Sequence, residues 1–359
     1  MNPMTDRSTP LDSQLMLSAL ERLRGTGVEF NDFLSNHGPM AADAMIRLGG
    51  GDRVEAWVDE YRLQLTPDAD PGDRVTTDNW REQLGRFDRV GDWTSHFRRA
   101  ILDQGWRDVL EMWWDRLLPG AAASATHGLI RTAHAVRNLA DGDGTEPLLV
   151  DELAHGLALW GARYQQLPGH PLLDGTLQID EALARLPRLD AHARSAGPGL
   201  TGRLATLFQL EGVPDAIEDW GPTEEPVVAL DELIARSARI VLARTDSQIA
   251  FCHAVTAPAA VRMIIPAIAP ARHAAAVATC WQLVAAIVSA FAALPDPVPM
   301  DIEDIDVPTP MQLSLAAVEH GDDHVLKFTE ACVRQFGITH DVALLIAADR
   351  FRQRIEAPR

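Results

Sequence analysis

Apolar positions recur at intervals of three and four along almost the whole chain, and alternating Val/Ile/Thr runs bounded by turns are nearly absent. The pattern predicts an all-α protein: a single large multi-helix domain over 1–359. Behind a flexible polar tail over 1–10, a first helix is expected over 11–24, stopped by Gly25-Thr26-Gly27. Asn36 stands where it can cap a second helix from His37 to Leu48, which Gly49-Gly50-Gly51 ends. Val54 to Leu65 follow as a third helix, and the Pro- and Asp-rich stretch 66–73 reads as a surface loop.

From Asp92 the apolar pattern becomes dense, with Trp93, Phe97, Ile101, Trp106, Leu110, Trp113, Trp114 and Leu117 marking consecutive core helices up to the Pro119-Gly120 break. A long helix is expected over 121–139, carrying His127, Arg131 and His134 along one side, and another over 152–164. The Pro- and Gly-rich region 168–226 holds only short helical pieces and is placed to act as a cap or lid. Helix resumes over 230–243. Ala274 to Leu294 then give 21 residues without a charge, long enough for a membrane span, but alanine-rich and without a basic cluster behind them. They are read as a buried central helix. An acidic, proline-rich linker over 295–310 leads to the C-terminal helices.

Composition narrows the function classes. The formal charge is −19 and no run of arginine makes a basic patch, which argues against a nucleic-acid partner. Cys252, Cys280 and Cys332 are far apart, so neither a disulfide framework nor a zinc knuckle is expected. The N-terminus lacks the charged start and apolar run of a signal peptide, and a cytoplasmic protein without membrane contact is expected. Dinucleotide, phosphate-loop, HExxH and GxSxG signatures are all missing from the sequence.

One residue stands out chemically. Of the 32 Lys plus Arg, only Lys327 is lysine, in the stretch His320-Gly321-Asp322-Asp323-His324-Val325-Leu326-Lys327. A buried lysine can offer a neutral amine, which arginine cannot, and that amine can take up CO2 as an anionic carbamate. If the stretch is one helix, His320, His324 and Lys327 share a face; the alternative is a leftover lysine on a wet helix. His37, His127, His253 and His324 come from four separate helices, and helical bundles build metal sites by aiming such residues inward. Imidazoles suit iron, zinc, copper or nickel. The missing anion would be a carbamate on Lys327 or, in second place, Asp322 or Asp323, since His320-Gly321-Asp322 spells half of a facial triad.

Several short pieces, in order, resemble the questin oxidase-like family of fungal and bacterial aromatic polyketide oxygenases. They are Phe33 to Met40 around His37 with Leu48-Gly49, Gly91 to Trp93, Leu118 to Gly120, His127 to Ile130, His253 to Thr256 and His324 to Lys327. The resemblance implies an oxygen-dependent oxidation or cleavage of anthraquinone-like rings. It also implies a single non-haem Fe(II) held by His37, His127, His253, His324 and a carboxylated Lys327. Fungal members often carry a second histidine four residues after the one at 127. This chain has Arg131 there, which leaves the acid–base partner open between Arg131 and His134. A small aromatic substrate and O2 are the expected partners, and a homodimer is one assembly the sequence admits. Two rival readings remain at this point: an NADPH- or flavin-dependent Baeyer-Villiger-type monooxygenase, and a metal-free helical scaffold.

Overall fold

The computed structural model describes residues 9–31, 33–195, 199–297, 300–302 and 305–358. Most of the 1–10 tail, and parts of the 168–226 region and the 295–310 linker, therefore lie outside the described residues. The protein is predominantly α-helical, as the periodicity requires. In chain order the helices are α1 Pro10–Arg22, α2 Gly38–Arg47, α3 Val54–Tyr61, α4 Trp80–Gln83, α5 Val90–Gln104, α6 Trp106–Leu117, α7 His127–Asp141 and α8 Pro147–Ala162. They continue as α9 Ile179–Arg185, α10 Ala191–Ser195, α11 Gly199–Ala205, α12 Val213–Glu218, α13 Pro226–Ala243, α14 Gln248–Ile264, α15 His273–Phe291, α16 Pro310–His320, α17 Asp323–Thr339 and α18 Val342–Arg354. A two-residue antiparallel pair, β1 Glu29–Phe30 with β2 Leu34–Ser35, sits between α1 and α2.

The chain divides into two compact units. The first holds residues up to Gln165 together with Ser314–Glu330, and the second holds Gln166–Leu313 with Ala331–Glu356. In the first unit α8 is the hub, packed against α5 and α7. Two glycines allow the approach of α7 to α8: a Cβ on Gly128 would stand 2.6 Å from Trp160 Cα, and one on Gly156 would stand 2.9 Å from Thr132 N. Trp93, Phe97 and Trp113 form an aromatic cluster with ring centroids 5.0–5.5 Å apart, and Trp114 sets its edge on Trp160.

The second unit is built on α13, α14, α15 and α18. Helix α15 is buried continuously from Cys280 to Phe291, so the uncharged segment read as a core helix is one. Gln248–Ala267 and Pro270–Phe291 are both long and apolar enough to cross a membrane, and most of each is buried within the unit. The 168–226 region is tied to α15 at three places. Trp281 Nε1 donates to Ile217 O at 2.7 Å, Gln282 Nε2 donates to Gly169 O at 2.7 Å, and Leu189 N donates to Ser289 O at 2.9 Å. All three cysteines are buried.

Two local expectations need correction. The helix expected over 121–139 begins only at His127, because Ser124, Ala125 and Thr126 adopt left-handed conformations with φ of 48°, 54° and 74°. Nor is 320–327 one helix. Gly321 at φ 77° ends α16, and Asp322 Oδ1 accepts from His324 N (2.9 Å) and Val325 N (3.0 Å) to start α17. His320 therefore sits on a different helix from His324 and Lys327.

Candidate metal centre

Three helix beginnings of the first unit meet at the candidate site. His37 itself takes the N-cap position of α2, without a side-chain capping bond, and Asn36, one residue ahead of it, accepts from Gly38 N through Oδ1 at 2.9 Å. His127 opens α7, and Asp323, His324 and Lys327 lie in the first two turns of α17. The backbone before His127 is anchored through its side chains: Ser124 Oγ donates to Glu29 Oε1 (2.8 Å), and Glu29 in turn accepts from Arg163 Nη2 (2.6 Å). His37 N donates to the Tyr61 hydroxyl at 2.9 Å, and burial holds the Tyr61 phenol protonated by raising its pKa.

The ring contacts fix the proton positions. Asp323 Oδ1 lies 2.8 Å from His37 Nδ1 and 2.8 Å from His324 Nδ1. Burial alone would raise the Asp323 carboxyl, yet His37 and His324 hold it well below its ordinary value, so it is ionised and accepts from both rings. His127 Nδ1 lies 2.6 Å from Ser124 O, and a carbonyl can only accept. His37 and His127 therefore carry their proton on Nδ1 and turn Nε2 toward each other, and His324 likewise donates from Nδ1 to Asp323.

The consequence appears between His37 and His127, whose Nε2 atoms are 2.7 Å apart and whose rings stack at 4.4 Å. Two lone pairs facing at that distance repel unless a proton or a cation lies between them. Burial lowers the His37 pKa to about 4, with Lys327 opposing protonation and Asp323 favouring it, so an added proton is disfavoured near neutrality. A cation resolves the conflict. Two nitrogens bound at about 2.1 Å and at right angles stand about 3 Å apart, close to the spacing present here. His37, Asp323 and His324 also offer ligand atoms within 4.8 Å of one another. The donor set thus fits a transition metal, with Asp323 orienting two ligating rings in the manner of a carboxylate–histidine–metal arrangement.

Lys327 is 4 % exposed, and its Nζ lies 4.0 Å from Asp323 Oδ1, so the single lysine belongs to this cluster and not to a wet surface. His253 is also buried, in α14 of the second unit. The structure thus gathers four of the five expected metal residues, His37, His127, His324 and Lys327, in one unit and adds Asp323. Of the two adjacent aspartates, Asp323 turns to both histidines, and Asp322 caps α17 through Oδ1.

Arg131 and His134 extend the row one and two turns along α7. The Arg131 guanidinium forks onto Glu152, with contacts of 2.7 and 2.8 Å. His134 Nδ1 meets Asp43 Oδ2 at 2.7 Å, and burial lowers the His134 pKa. Asp43 also binds Arg137, which reaches Glu330 at 2.6 Å. These four buried residues link the same three helices, α2, α7 and α17, just beyond the candidate ligands. Sequence reading singled out His134 but missed Asp43, Arg137 and Glu330, because ion-pair partners so far apart along the chain leave no local signal. Trp113 packs in the core on Phe97 and Trp114 on Trp160. Compared with the known protein families and with curated proteins, the chain matches none.

Proposed function

We propose that the protein is a metal-dependent oxygenase holding one non-haem Fe(II), acting on a flat polycyclic aromatic compound of the anthraquinone class by ring oxidation or cleavage. The observation that carries the metal is the pair of Nε2 atoms of His37 and His127 facing across 2.7 Å. The resemblance of the motifs around His37, His127, His253 and His324 to the questin oxidase-like family supplies the choice of iron, O2 and aromatic substrate. A bound iron would contribute Lewis-acid and one-electron chemistry that amino-acid side chains lack.

The chain's own part is positioning. Asp323 keeps the protons of His37 and His324 on Nδ1, and Ser124 O does the same for His127, so the three rings keep their tautomer without reorganisation. His37 and His127 are 8 % and 6 % exposed, which limits water at the centre. Lys327 supplies the remaining anion. Its neutral amine adds to the carbon of CO2: the N–C bond forms as one C=O π bond opens onto oxygen, one amine proton passes to solvent water, and a carbamate anion stands beside the histidines.

The test measures iron content and O2 uptake with a hydroxyanthraquinone, on protein prepared without a histidine tag. About one iron per chain and substrate-dependent O2 uptake are expected. Turnover under strict anaerobiosis, or full turnover after the metal is chelated away, refutes the reading.

A further inference from the structure

The candidate ligands come from the beginnings of three helices, and one buried side chain ties those helices to one another. Arg137, on α7, binds Asp43 of α2 through Nη2 and Glu330 of α17 through Nη1, the second contact at 2.6 Å. Asp43 also meets His134 Nδ1 at 2.7 Å and, through its other oxygen, accepts from Arg47 Nε at 3.3 Å. Arg47 in turn reaches Asp141, the last residue of α7, which makes a second tie between α2 and α7. Asp43, Arg137 and Glu330 are 1 %, 8 % and 5 % exposed. Glu330 stands one turn past Lys327 on α17.

Stability alone is a poor reason for such a network. Taking charges out of water costs on the order of several kcal/mol per ion, and an apolar set of similar volume is often as stable or more so. What the charged set adds is geometry. A guanidinium presents its donors in a rigid planar fork, so one arginine held between carboxylates of two other helices fixes where each helix stands relative to α7. Metal binding is sensitive to that placement, because ligand distances must hold within about 0.2 Å.

We propose, resting on the metal-binding part of the proposed function, that Arg137 is a positioning residue for the metal centre: by tying α2 and α17 to α7 it keeps His37, His127 and the α17 residues at ligand spacing before a metal arrives. The role involves neither O2 nor the aromatic substrate.

Cobalt(II) titration of the full, metal-stripped chain against a competing chelator, followed by visible absorption, tests the assignment. It reads the affinity and coordination of protein that is already folded, which a loss of global stability does not move. Arg137→Lys keeps the charge but not the fork. Glu330→Gln is nearly isosteric, keeps an acceptor on α17 and loses the ion pair, so it supplies a folded variant should Arg137→Lys fail to fold. Arg22→Lys is the matched control, because Arg22 bridges Glu55 and Asp59 of α3 at 2.9 and 2.7 Å in the same unit.

With folding checked by circular dichroism, Arg137→Lys and Glu330→Gln are each expected to bind cobalt(II) about tenfold more weakly than the wild type and with shifted visible bands, the low end of what losing an outer partner of a metal ligand costs. Arg22→Lys is expected to match the wild type. Wild-type affinity and bands in Arg137→Lys and Glu330→Gln, or an equal loss in Arg22→Lys, would overturn the positioning role and leave the metal site standing. A wild type that takes up no cobalt(II) would overturn the metal site and the role together.

Discussion

His37 and His127 face each other through Nε2 atoms 2.7 Å apart, each with its Nδ1 proton already given to an oxygen. The arrangement is unfavourable in a metal-free protein and favourable in a loaded one. Metal should therefore stabilise the fold by mass action. Chelation is expected to lower the melting temperature, and re-addition of Fe(II) to restore it. His127→Ala should lose bound metal and with it the chelator sensitivity, whereas His155→Ala and His192→Ala should retain both. Elemental analysis beside a melting curve reads the result.

Asp323 holds two rings with one oxygen. Asp323→Ala should leave His37 and His324 free to change tautomer and turn, and about a 10- to 100-fold loss of metal affinity is expected for losing such an orienting partner. Competition against a chelator of known affinity measures it, with the helical circular dichroism unchanged.

Lys327→Arg keeps the charge and most of the length but cannot form a carbamate, so it should lose both iron and turnover. In Lys327→Ala, a small carboxylate or bicarbonate should restore part of each. Carbon-13 resonance of protein equilibrated with labelled CO2 should show one carbamate in the wild type and none in either variant.

Burial alone would raise the Asp43 carboxyl, yet Arg137, Arg47 and His134 hold it well below its ordinary value. A depressed carboxylate contributes stability that is fully present above its unfolded pKa, about 3.9, and is lost as pH falls through the folded value. Acid unfolding should thus steepen below about pH 4, and Asp43→Asn should flatten that limb. Arg137→Met, which breaks a buried pair on one side, should cost about 3–5 kcal/mol. Urea titrations between neutral pH and pH 3 or so check both variants.

How far the sequence reached can be judged at particular residues. The unique lysine and the histidines at 37, 127 and 324 pointed to the centre because residue type alone carries that chemistry. Gly49 and the uncharged run of α15 gave local signals that the fold obeys. The choice between Asp322 and Asp323 was not legible, since either neighbour can cap a helix and only the packed fold shows which one turns to the histidines. The start of α7 was misjudged because Ala121 to Ala125 is good helix sequence by propensity, and tertiary anchoring through Glu29 overrides it. The unit boundary at Gln165 falls just before the Pro- and Gly-rich region 168–226, which reads as a cap and not as a boundary, and the return of Ser314–Glu330 to the first unit is a long-range event.

The left-handed run Ser124-Ala125-Thr126 carries a consequence for how this protein could be improved or damaged. Non-glycine residues in that conformation each cost about 1–2 kcal/mol, and here the cost falls on the three residues immediately before a ligand. Ala125→Gly should recover part of it, up to about 1 kcal/mol after the extra freedom of glycine in the unfolded chain is subtracted. The same change would slacken the carbonyl of Ser124 that pins His127. Thermal resilience and metal retention should consequently move in opposite directions at this one position, so that selection for heat tolerance alone would erode the centre, and any variant picked for a higher melting temperature there needs its iron counted.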